Sequence, residues 1–207
     1  MDSSNASLVG AGAEPASSRI QQIMSVAGQI FAKKGYDGTS MREIAEACDI
    51  SKALLYHHFK SKEEIYSRVV VDSGKRLYDY VDAQVAAQTS PTEKLRAFMV
   101  SSANYFEENR WGWIAAASAF WNETDSETRD ERIARRDRYE HQLRDILQEA
   151  VDKGEIRPEV DVAMAGRLVL SSINWMYRWY KPEKQMKAGE IAEAYFEMIF
   201  EGLRLRD

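Results

Sequence analysis

Apolar residues in this chain recur three and four positions apart along most of its length, and no stretch alternates with period two over a useful distance. The first stripe, Ile20, Ile23, Met24, Ala27, Ile30 and Phe31, predicts a helix over about 18–34. It closes on Lys33-Lys34-Gly35, with cations at the carbonyl end and a glycine for the left-handed residue that terminates a helix. Two short segments follow. Ser40 is a natural cap, Glu43 stands at capping-box spacing, and Ile44, Ala45 and Ala47 supply a narrow apolar face. Cys48-Asp49-Ile50 leaves room only for a turn before Ser51 caps a second short helix ending at His57 or His58. Ser61 and Glu64 repeat the box at the head of a long helix predicted over about 62–87. Ser90-Pro91-Thr92-Glu93 opens another, to about 109, and a short apolar helix is expected around 113–120. A charged helix over about 126–153 stops at Gly154, and two more are expected over about 161–180 and 188–205, parted by Lys181-Pro182. The pattern sums to an all-α fold of nine helices.

The pair at 39–60 carries the chemistry. Two short helices across a tight turn, the second rich in polar, aromatic and basic side chains, match the helix-turn-helix that lays its second helix in the DNA major groove. Two packing helices of an ordinary helical domain would give the same hairpin; the helix before it and the long helix after it favour the reader. Phe31-Ala32-x-x-Gly35-Tyr36-x-x-Thr39-Ser40, Ile44-Ala45, and Leu55-Tyr56-x-His58-Phe59-x-Ser61-Lys62-Glu63 resemble the TetR family of bacterial transcriptional regulators. The match is dense over about 18–66 and general beyond. Cys48 stands where the family more often has Gly or Ala, and a small, commonly buried residue should keep the turn. The resemblance implies a helix-turn-helix domain at 18–64 and a helical effector-binding and dimerisation domain at 65–207.

Composition refines this reading. One cysteine in 207 residues excludes an internal disulfide, and no zinc cluster has its ligands. Residues 1–17, rich in Ser, Ala and Gly, read as a disordered tail rather than a signal peptide. The longest uncharged apolar run, Trp111 to Trp121, falls short of the ~20 residues of a membrane helix. A cytoplasmic protein with no membrane partner is expected. The chain is acidic at −5, yet residues 18–62 hold seven cations against four carboxylates. A module at +3 on a body at −8 orients the molecule on a polyanion.

Side-chain chemistry assigns roles within the reader. Lys52 can donate to guanine and the methyl of Ala53 can touch thymine. Tyr56 and His57, a turn later, suit phosphate or base, and Ser40, Arg42, Lys60 and Lys62 suit phosphates, which position without specifying. The resemblance implies DNA contact for Thr39, Lys52, Tyr56, His57 and Lys62. Tyr56 has a core reading as well; Phe59 is read as core and His58 as a packing residue.

In the body, Leu168, Val169, Ser172 and Ile173 with Ile191, Tyr195, Met198, Ile199 and Leu203 would supply the four-helix seam of a homodimer, as the resemblance implies, or an intramolecular core. Phe98, Met99, Tyr105, Phe106, Trp111, Trp113, Phe120 and Trp121, with the run 174–180, are the material of a pocket or of a helical core. Phe98, Tyr105, Phe106, Trp113, Asn174, Tyr177 and Arg178 are the candidate effector residues. Asn174 and Arg178, four apart in an apolar helix, each need a partner or a ligand if buried. Asn174-Trp175-x-x-x-Trp179-Tyr180-x-Pro182 resembles TetR-type regulators of fatty-acid, steroid and aromatic-acid degradation, which implies an acyl-coenzyme A effector and release of a repressor from its operator. A lipophilic drug or metabolite controlling an efflux pump is the alternative. Arg129, Arg132, Arg135, Arg136 and Arg138 could meet phosphates, but their interleaved carboxylates favour a solvated, paired face. No phosphate-cradling loop, His-Glu-x-x-His or nucleophile–base pair is present, so neither catalysis nor a cofactor beyond the effector is expected.

Overall fold

A computed structural model describes residues 16–119, 126–184 and 186–204. The expected tail lies outside these up to residue 15, as do Phe120 and Trp121. The order is α1 (Ala16–Lys34), α2 (Met41–Ala47), α3 (Lys52–His58), α4 (Lys62–Ala86), α5 (Pro91–Glu108), α6 (Arg110–Ala119), α7 (Ser126–Asp152), α8 (Val162–Asn174), a 3-10 turn (Trp175–Arg178) and α9 (Ala188–Leu203). The sole β feature among the described residues is an isolated antiparallel bridge between Ile156 and Arg204. Helix α1 begins two residues earlier than its stripe predicts, and α6 begins at Arg110 rather than near Trp113. Gly35 and Gly154 take φ of 73°, the left-handed stops their positions predict.

Each expected serine cap forms, but the reciprocal carboxylates go elsewhere. Ser40 Oγ accepts from Glu43 N at 3.2 Å, while the Glu43 carboxylate pairs with Lys34 of α1. Ser61 Oγ accepts from Glu64 N at 3.3 Å, and Glu64 accepts the backbone N–H of Lys60, one residue before the cap, at 2.7 Å. Half of each box therefore serves to join helices.

Three apolar clusters build the molecule. Ile23, Phe31, Ile44, Leu55, Phe59 and Ile65 close the head formed by α1 to α3 and the start of α4. Leu77, Val81, Phe98, Tyr139, Leu143 and Val169 centre the body. A third group, including Phe106, Met176, Tyr180 and Ile191, seats the 3-10 turn against α5 and α9. Helix α4, roughly 37 Å long at 1.5 Å per residue, supplies Ile65 and Val69 to the head and Leu77 and Val81 to the body. Helix α6 locks the joint. Ala115 is buried in the head cluster, and a Cβ on Gly112 would sit 2.9 Å from Ser73 Oγ of α4, so glycine lets the two helices cross this closely.

Candidate DNA-reading head and effector site

The second helix of the pair, α3, contributes little apolar material to the head. Helix α3 buries Leu55 completely, and Phe59 just past its end is 1% exposed. Ser51 fixes its start, accepting from Leu54 N at 3.1 Å. The turn before it puts Asp49 at φ 51°, a conformation Asp tolerates better than most residues. Cys48 is buried beside it, and burial pushes its thiol pKa up, leaving a neutral packing group. With Leu55 and Phe59 turned inward, Lys52, Ala53, Leu54, Tyr56 and His57 all face solvent.

Seven of the nine residues expected at DNA lie on the surface of this head: Ser40, Arg42, Lys52, Ala53, Tyr56, His57 and Lys60. Lys52 Nζ sits 5.7 Å from the Tyr56 ring centroid, a cation–π contact that gathers a donor and an aromatic on one flank of α3. Arg42 pairs with Glu46 one turn on, at 2.7 Å. The other two are held inside the module. Thr39 is 3% exposed and its hydroxyl donates to Gly35 O at 2.7 Å, which braces the left-handed stop of α1. Lys62 Nζ donates to Tyr36 O at 2.9 Å and lies 4.0 Å over the Tyr36 ring. That ties the start of α4 to the loop after α1. Tyr36 adds a hydrogen bond to Glu63, which holds that carboxyl at about 2. Leu54 was not among the expected contacts. Its exposure is invisible to periodicity because it neighbours another leucine.

The residues expected around an effector divide sharply. Phe98, Tyr105 and Phe106 are core: Phe98 stacks within 4.5 Å of Tyr139, and Tyr105 OH donates to Ser73 O of α4 at 2.9 Å. Trp113, half-buried, meets Phe106 edge-on at 5.6 Å. Asn174 and Arg178 do not share the continuous helix expected for them. Helix α8 ends at Asn174, the 3-10 turn begins, and both side chains are exposed. The Arg178 guanidinium lies 5.6 Å over Trp175. Asn174 lines, with Tyr177, Trp175, Trp179, Arg167 and Leu168, an open groove of about 700 Å³. Trp175 is 60% and Trp179 43% exposed, so indole faces are displayed beside one guanidinium and one amide. A second groove of about 500 Å³ lies between α1, α4 and α6 at the head–body joint.

On helix α7, Arg136 pairs within the helix with Asp137 at 3.0 Å, whereas Arg138 reaches Asp82 of α4 at 2.9 Å and Arg135 donates to Val71 O of α4 at 3.2 Å, so part of the expected intrahelical pairing is spent on the neighbouring helix. The side chains of Arg129 and Arg132 lie outside the described residues. The expected dimer seam is mixed. Val169, Ile173 and Ile191 pack inward, whereas Leu168 and Met198, with Met164, stand more than half exposed. Among the described residues, no helix is long and apolar enough to cross a membrane, and no group of three His, Cys, Asp or Glu is placed to share a metal ion.

Comparisons with known proteins fit this geometry. The family described as bacterial regulatory proteins, tetR family, matches residues 23–69, and the tetracyclin repressor-like C-terminal domain matches residues 88–203. The HTH-type transcriptional repressor KstR2 of Mycolicibacterium smegmatis is 30% identical over 190 residues, covering 92% of each chain. Among solved structures, the TetR family transcriptional regulator PfmR of Thermus thermophilus is 43% identical, with a TM-score of 0.80 over 88% of this chain and 99% of that one. AibR, solved with isovaleryl coenzyme A and operator DNA, is 31% identical, with a TM-score of 0.76 over 88% of this chain and 98% of its own.

Proposed function

The chain belongs to the TetR family of bacterial regulatory proteins and is a DNA-binding transcriptional regulator, not an enzyme; from that premise we propose a homodimeric repressor whose effector is an acyl-coenzyme A thioester from fatty-acid, steroid or aromatic degradation. The observation that carries the effector reading is the groove at the end of α8. Trp175, Trp179, Tyr177 and Leu168 offer apolar surface to an acyl chain, Arg167 offers a cation to phosphate, and Asn174 offers an amide to a thioester or pantetheine amide. Relatives support the class: AibR is described with isovaleryl coenzyme A, and KstR2 is named a repressor.

The exposed band of Met164, Leu168 and Met198 on α8 and α9 is the surface on which two copies pair, placing two reading heads at half-sites. The route from groove to head runs through one hydrogen bond and helix α6. Arg110 donates to Tyr180 O at 3.2 Å, tying the loop after the 3-10 turn to the first residue of α6. Two residues on, Gly112 crosses α4, and Ala115 enters the head core. Effector binding shifts the population towards an arrangement of α6 and α4 that separates the heads. AibR holds both ligands at once, so the coupling is a difference in affinity rather than exclusion.

Thermal unfolding against acyl- and aryl-coenzyme A thioesters, their free acids, free coenzyme A and lipophilic cations tests the class. Ligand at ~100 times its dissociation constant adds about 2.7 kcal/mol of stability. Stabilisation by one thioester, and not by its acid or by free coenzyme A, is the expected result. Stabilisation by the cations alone would replace this reading with efflux control.

A further inference from the structure

Helix α3 displays a leucine that no hydrogen-bonding role explains. Of its seven residues one, Leu55, is buried, and the neighbouring Leu54 stands 39% exposed. The Leu54 backbone N–H is occupied by Ser51 Oγ at 3.1 Å, so the residue faces outward with only its isobutyl group to offer. Within residues 19–61, Leu54 and Tyr56 are the large hydrophobic side chains exposed to this degree. Tyr56 has a hydroxyl and a partner in Lys52, 5.7 Å from its ring centroid. At roughly 100° of rotation per residue, Leu54 and Tyr56 project about 200° apart, with Ala53 and His57 between them. The reading face thus has a polar, cationic flank and an apolar one.

DNA offers little that an isobutyl group can match. Phosphates and the donor and acceptor atoms of base edges lose hydration against it without return. The thymine C5-methyl is the apolar group on the floor of the major groove. We propose that Leu54 is a specificity-determining residue that reads thymine, packing on the C5-methyl of a T·A pair on the flank opposite Lys52 and Tyr56. This goes beyond the effector reading and does not depend on it.

The test uses the full-length protein and duplexes selected by it from a random-sequence pool. Each thymine of the winning duplex is replaced in turn by deoxyuridine, which lacks only the methyl group. Wild type should lose about four-fold in affinity at one thymine per half-site, on the order of the transfer free energy of one buried methyl. Leu54→Ala should bind the thymine and uracil duplexes equally, and Leu54→Met, which keeps a flexible apolar side chain of similar size, should keep the discrimination. Both variants should melt with wild type. The proposal is overturned if no uracil position weakens wild type, or if Leu54→Ala still discriminates. It is also overturned if Leu54→Met loses the discrimination, or if Leu54→Ala melts early as a core variant would. Failure to select any duplex would remove the reading-head assignment along with it.

Discussion

Thr39→Val separates a residue that touches DNA from one that holds the head in shape. The substitution keeps the volume and removes the hydroxyl, whose single bond runs 2.7 Å to Gly35 O. Thr39 is 3% exposed, so little else is available to lose. A net hydrogen bond is worth about 1 kcal/mol, rising towards ~3 if the Gly35 carbonyl is left dry. In a chain of this size, 1 kcal/mol lowers Tm by roughly 2–4 °C. Operator affinity at 25 °C, well below the melt, should stay within a factor of two. The salt dependence distinguishes a neutral residue from a cation at the backbone, because each phosphate neutralised by a cation contributes about 0.9 to the slope of log K against log salt. That slope should be unchanged in Thr39→Val, whereas Lys60→Ala should reduce it by about 1. Melting by calorimetry and operator binding by anisotropy between 50 and 200 mM salt, a span that exposes the phosphate term, decide the matter. An unchanged Tm with a ten-fold loss of affinity would refute the reasoning and return Thr39 to the DNA.

Three further outcomes follow from named contacts. The hydrogen bond from Tyr36 is the first cause of the low Glu63 pKa, about 2, so this pair contributes stability above the ordinary carboxylate value near ~4.3 and loses it as pH falls from about 5 towards 2. Tyr36→Phe should therefore cost more in denaturant titrations at pH 7 than at pH 3, and an equal cost at both would contradict the link. A Cβ on Gly189 would overlap Asn104 Oδ1 and sit 3.1 Å from its Cγ. Overpacking of ~1–3 kcal/mol against a helix-propensity gain of ~1 predicts a net loss of about 1 kcal/mol for Gly189→Ala. The same change in an Asn104→Ala background should be neutral or stabilising, and an identical cost in both backgrounds would show that the clash is not the cause. Leu168→Glu with Met198→Glu places charge on the exposed band of α8 and α9. Sedimentation should report a monomer with wild-type helicity and weakened operator binding; a dimer of wild-type strength would place the interface elsewhere.

The helices were legible in the sequence because their ends are written in local chemistry. Ser51, Ser61 and Ser90 cap, Pro91 starts, and Gly35 and Gly154 stop, each through atoms within a few residues. The family was legible for a related reason, since the motif from Phe31 to Glu63 is itself a run of caps, turns and core anchors. What escaped depends on distance or on choice of face. Lys62 looked like a phosphate ligand, but its ammonium meets a carbonyl 26 residues away, which no spacing rule reports. The resemblance implies DNA contact for Thr39, and its hydroxyl turns back on Gly35, four residues upstream. Asn174 and Arg178 share a face only if the helix continues, and the 3-10 turn at Trp175 breaks that register. At Leu54-Leu55 the pattern offers two equal leucines, and packing alone decides which is displayed.

The most direct measurement is the affinity of the stabilising thioester for the free protein and for the protein saturated with operator. Repression relieved by ligand requires tighter binding to the free form, with a coupling of about 1 to 3 kcal/mol, or roughly 5- to 150-fold, and the thioester must weaken operator binding by the same factor. Equal thioester affinities with and without operator would contradict the account, however tightly each ligand binds on its own.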